Sequence, residues 1–120
     1  MPSKLEERFA AELKLFGLPE PKRQFKFHPE RRWALDFYWE IQTRQRIEKV
    51  AVEIHGGIHS AHRFHHSNGA QLEKDFEKWS ACADAKIRLY HFGPKAVYIP
   101  KNGSSIALAK MYPILKGDSQ

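Results

Sequence analysis

Two stretches decide how this chain folds: Leu35-Asp36-Phe37-Tyr38, and Val50-Ala51-Val52-Glu53-Ile54-His55-Gly56-Gly57. Side chains alternate between the faces of a strand. In the second stretch Val50, Val52 and Ile54 therefore share one face, and Glu53 and His55 share the other. The first stretch sits inside Trp33–Trp39, where alternation puts Trp33, Leu35, Phe37 and Trp39 on one face and Asp36 on the other, beside Ala34 and Tyr38. Aspartate is disfavoured in strands, so an embedded Asp36 opposite Glu53 and His55 points to a divalent-metal site built on stiff scaffolding.

Working outward, the polar Gln42–Arg46 reads as a hairpin connection between these two strands. Upstream, Ser3 reads as a helix N-cap with Glu6 as its capping-box partner. Leu5, Phe9, Leu13 and Phe16 recur at helical spacing until Gly17 and Pro19 end the helix. Gln24–His28 is a short strand. Downstream, a Gly- and His-rich loop spans about 56–68, and Asn68 with Gln71 caps a helix running to about Ala85, with Leu72, Phe76, Trp79 and Ala83 as its buried stripe. Ile87–Phe92 alternates as a strand, and a terminal helix from Ser104 stops before Pro113. The order α-β-β-β-α-β-α predicts an α/β fold, a mixed central sheet flanked by helices. One domain over 1–120 is expected from the length.

Composition narrows the function. Hydrophobic residues make up 42% of the chain, enough to exclude intrinsic disorder. No apolar stretch has the length of a membrane span, and the N-terminus has no signal-peptide core. The single cysteine, Cys82, has no internal disulfide partner and fits a reducing cytosol. A net charge of +6 calls for an anionic partner. Lys22, Arg23, Lys26, Arg31, Arg32, Arg44, Arg46 and Lys49 gather around the first strands, and nucleic acid suits such a surface.

The constellation of a helix Glu6, a strand Asp36 and a strand Glu53-Ile54-His55 resembles the PD-(D/E)XK nuclease superfamily. Val52-Glu53-Ile54-His55-Gly56-Gly57-Ile58-His59, then Asp75-Phe76-Glu77-Lys78, then Ala85-Lys86-Ile87-Arg88-Leu89-Tyr90-His91-Phe92 resemble short phage and bacterial endonucleases akin to the very-short-patch-repair endonuclease. Phe25–Trp33 looks like the same proteins. The placement of Glu6 before Gly17 also resembles archaeal-type Holliday junction resolvases. The resemblance implies a restriction-endonuclease-like sheet and a metal-dependent DNA endonuclease, with branched DNA as one candidate substrate. It also implies a bacterial or phage-infected host cytosol, and cutting both strands of a branched substrate would call for a homodimer.

The chemistry of the residues points the same way. Mg²⁺ or Mn²⁺ takes one or two carboxylates plus substrate phosphate. Asp36, Glu53 and His55 are the expected metal ligands, and the expected catalytic set is Asp36, Glu53, His55 and Lys78 together with Glu6 and His59, which the resemblance implies. The superfamily has lysine where this chain has His55, which is suited to act as a general base near neutral pH. Lys78 is the other source of the missing ammonium, and its simplest alternative role is an ion pair with Asp75 at i,i+3. Arg31, Arg32, Arg63, Lys22 and Arg23 are the expected DNA contacts. Five of the seven histidines, His55, His59, His62, His65 and His66, fall within twelve positions. They support a competing reading, a zinc-binding regulatory protein. A third reading is a non-catalytic nucleic-acid-binding module of the same fold.

Overall fold

The computed structural model describes residues 3–56 and 61–117, and of residues 61–68 the backbone alone. Its elements are α1 (Lys4–Leu15), β1 (Lys22–Lys26), β2 (Ala34–Gln42), β3 (Ile47–Ile54), α2 (Ala61–Asp84), β4 (Ile87–Phe92), α3 (Pro94–Val97) and α4 (Ile106–Lys116). Apart from the one-turn α3, this is the expected order. The four strands form one sheet in the order β1-β2-β3-β4, with β4 parallel to β3 and the other neighbours antiparallel. The parallel pair needs a crossover, and α2 supplies it.

Each face of the sheet carries its own core. On one face Phe37, Trp39, Ile41, Val50, Val52 and Ile54 pack with Phe9 and Leu13 of α1 and with Leu108, Met111 and Leu115 of α4. On the other, Leu35, Tyr38, Ala51 and Ile87 pack with Cys82 of α2. Alternation in β3 is therefore as expected, but in β2 it is not. Leu35 lies on the α2 face with Tyr38, opposite to Phe37 and Trp39. The slip falls at Asp36, which lies across from Gln24 in the β1–β2 register, and Gln24 has the left-handed φ of 50°. A non-glycine residue in that conformation costs ~1–2 kcal/mol.

Several element limits depart from expectation. β1 begins earlier and ends at Lys26, because the ring of His28 accepts the backbone N–H groups of Glu30 and Arg31 and draws that segment into a turn. β2 and β3 continue to Gln42↔Ile47, closed by Thr43 N–H donating to the Arg46 carbonyl at 2.8 Å. α2 starts at Ala61, not Asn68, so no cap forms at Asn68 and His62, His65 and His66 belong to a helix rather than a loop. Its expected stripe is also corrected. Leu72 and Phe76 are 43% and 48% exposed and Ala83 is exposed, whereas Cys82 is buried. α4 runs through Pro113 because Leu115 beyond it is anchored in the core.

Candidate functional site

The first turn of α1, the start of β2, the ends of β3 and β4, and the C-terminal third of α2 meet at one end of the sheet. β2 and β3 pair as far as Phe37↔Val52 and then part. In place of the next ladder bonds, Asp36 Oδ2 accepts the Ile54 N–H at 2.9 Å. Asp36 Oδ1 accepts from Gln24 Nε2 at 3.3 Å, and the same amide donates to Glu6 Oε1 at 3.2 Å. The strained backbone of Gln24 thus turns one amide group between two carboxylates.

Ser3 caps α1 through its hydroxyl, which accepts the Glu6 N–H at 3.2 Å. The Glu6 carboxylate does not return to close a capping box: it turns to Gln24 and lies 4.0 Å from Arg23. The neighbouring Glu7 is exposed and bound to Arg23 at 2.8 Å. Burial raises the Glu6 pKa, and the neighbouring Asp36 raises it further, against the opposing Ser3 backbone and Arg23.

Glu53 is 6% exposed, and its Oε2 accepts from Lys78 Nζ at 2.8 Å. Lys78 therefore reaches the strand carboxylate, not its helical neighbour Asp75, whose Oδ1 accepts from Gln71. Burial pushes the Glu53 carboxyl above the usual range and Asp36 adds to this, while Lys78 and His55 pull it down. An ammonium and a carboxylate buried together require each other, because removing one leaves an uncompensated charge.

The parallel register places His91 directly beside Glu53. His55 N–H donates to the Phe92 carbonyl at 2.8 Å, which carries the pairing past the end of β3. The two rings then meet, His55 Nε2 to His91 Nδ1 at 2.8 Å. One of these nitrogens donates and the other accepts, so this contact holds a single proton. Trp79 meets His91 edge to face at 4.8 Å. Burial, with His55 and Lys78 alongside, lowers the His91 pKa, against the opposing Asp75. The ligand atoms of Glu53, His55 and His91 all lie within 4.8 Å of one another.

Of the expected catalytic set, Glu6, Asp36, Glu53, His55 and Lys78 come together, and His59 lies outside the described residues. The expected metal set is altered. Glu53 and His55 converge with His91, whereas Asp36 is outside that group, its oxygens engaged by Ile54 and Gln24. His91 was missed because its role appears only once β4 is laid parallel to β3. The available signal was a lone polar ring after Ile87 and Leu89 on one face of an alternating strand.

No family model, curated protein or solved structure matches this chain.

The expected DNA contacts separate into two kinds. β1 ends opposite Ala34, two residues before Asp36, so the β1–β2 connection leaves the sheet at the site end. Arg31 and Arg32 are exposed on it. Arg31 lies over the Trp33 ring at 4.2 Å and pairs with Glu77 of α2 at 3.2 Å. Lys22 is exposed on the edge strand. Arg23 is instead committed inward, braced against Glu7 and lying 4.6 Å over the Phe37 ring. The side chain of Arg63 lies outside the described residues. So do those of His62, His65 and His66, on which the zinc-loop reading depends. No helix among the described residues is long and apolar enough to cross a membrane.

Proposed function

We propose that this chain is a metal-dependent DNA endonuclease of the PD-(D/E)XK kind. The observation that carries the reading is the 2.8 Å contact between Lys78 Nζ and Glu53 Oε2. It supplies, from α2, the ammonium that the strand motif lacks at His55. Asp36 and Glu53 stand where β2 and β3 part, just beyond the last paired residues of the ladder.

A divalent ion bound at Glu53, with Asp36 beside it, would stabilise charge on the phosphate oxygens and activate water for phosphodiester hydrolysis. Around it, Lys78 fixes the Glu53 carboxylate and keeps a positive charge beside the phosphate position. Gln24 orients Asp36 and Glu6. His55 and His91 stand beside Glu53 with one proton between their rings. Arg31 and Arg32 on the β1–β2 connection flank this end and suit the DNA backbone.

The test is cleavage of plasmid and of branched DNA with Mg²⁺, with Mn²⁺ and with EDTA. Divalent-dependent cleavage is expected, with Asp36→Asn and Glu53→Gln each losing on the order of 10²-fold or more while far-UV circular dichroism is unchanged. Full activity in excess EDTA overturns the reading. A preference for junctions over linear duplex would assign the branched substrate. The second reading, a non-catalytic nucleic-acid-binding module, rests on histidine standing in the lysine position. Salt-dependent binding without cleavage under either metal would select it.

A further inference from the structure

We propose that Glu53, His55 and His91 form a centre for a borderline transition ion of the Mn²⁺, Co²⁺ or Zn²⁺ class, with His91 as a ligand and Mg²⁺ as a poor occupant. This deepens the proposed function by naming the class of ion at the same site, and its test reads ion binding directly.

The donor set is the first argument. Two imidazole nitrogens and one carboxylate oxygen suit borderline ions, whereas Mg²⁺ takes oxygen ligands and retains its waters. Spacing is the second. All three ligand atoms lie within 4.8 Å of one another, and ligands held at about 2.1 Å from one ion stand about 3.4 Å apart in a tetrahedral site. The two rings, now 2.8 Å apart through a hydrogen bond, need to separate by only about half an ångström to reach that spacing.

Pre-organisation is the third. Glu53 and His91 are register partners on adjacent parallel strands, and His55 is tied to β4 through the Phe92 carbonyl, so all three donors ride on hydrogen-bonded backbone. Lys78 engages Oε2 of Glu53, and among the described residues no donor reaches Oε1. One carboxylate oxygen is thus held by an outer partner while the other has no donor among the described residues, as supporting groups around bound metals commonly arrange.

The experiment titrates Co²⁺ into the full chain and follows its visible absorption, which reports nitrogen ligation. One ion per chain is expected, displaced by Zn²⁺ and not by a large excess of Mg²⁺. His91→Ala and His55→Ala should each weaken binding at least tenfold, and His91→Gln, which keeps a polar side chain at the position, serves as the second variant should His91→Ala unfold. A chain with His62, His65 and His66 all changed to Ala should bind as the parent does. Undiminished cobalt binding in both His91 variants overturns the proposal, as does its loss in the triple variant alone. Cobalt binding as expected with no DNA cleavage would leave this centre in place and remove the nuclease reading. Mg²⁺-supported cleavage with no cobalt binding would do the reverse.

Discussion

Glu6 and Glu53 both feel the charge of Asp36, and burial raises the pKa of each. For Glu6 the folded-state value lies above that of an ordinary glutamate. In the window between the two, the folded chain holds more protons than the unfolded chain, so stability falls as pH rises through it. Glu6→Gln keeps an acceptor for Gln24 and removes the repulsion from Asp36. Thermal melts should show variant and parent alike at low pH and the variant more stable above the window. An unchanged gap at all pH values would mean that Glu6 bears no such penalty. Lys86 has a left-handed φ of 64° at the exit of α2, and Lys86→Gly should raise stability by about 1 kcal/mol in urea denaturation. At this scale the sequence was informative where chemistry is local. Asp36 stood out because an acid in an aromatic strand is anomalous, and Glu53 with His55 because they share a face. His91 and Gln24 were silent, since one acts through a parallel partner and the other through a backbone angle.

Among the elements, α1 and α4 are locked by a buried contact that sequence spacing could not reveal. Glu12, 3% exposed, accepts the Ser105 N–H at 2.8 Å and the Ser105 hydroxyl at 2.6 Å, while that hydroxyl caps α4 by accepting the Leu108 N–H. Ser105→Ala removes the cap and strips one oxygen of a buried carboxylate of its donor. A loss of roughly 2 kcal/mol is expected from urea denaturation. Periodicity located α1 because Phe9 and Leu13 keep one helical face in the core. It misplaced the α2 stripe because this helix rests on the sheet near its C-terminal end, through Trp79 and Cys82, and leaves Leu72 and Phe76 exposed. Leu72→Ser and Phe76→Ser should therefore each shift stability by only about 0.5 kcal/mol or less.

For the whole molecule, a charge of +6 and a basic connection beside the site predict electrostatic capture of DNA. Replacing Arg31 and Arg32 together by Ala should weaken binding similarly for unrelated sequences. It should also flatten the log–log salt dependence by roughly 0.9 per lost phosphate contact, read by fluorescence anisotropy. A sequence-selective loss with an unchanged slope would place the two arginines elsewhere in the interaction. The fold class was legible because the element order leaves few sheets to choose from. Which strand ends would gather the charged groups was not, because that depends on β4 joining the free edge of β3 in parallel.

That junction makes the cluster sensitive to chain length in a specific place. A single residue gained or lost between Cys82 and His91 would shift β4 by one step and carry His91 to the opposite side of the sheet. Tyr90 or Phe92 would then face Glu53, and the chain would keep its apolar pattern only by giving up the imidazole. Indels in that turn are expected to be purged, whereas the Thr43–Arg46 hairpin, remote from this end, should absorb them.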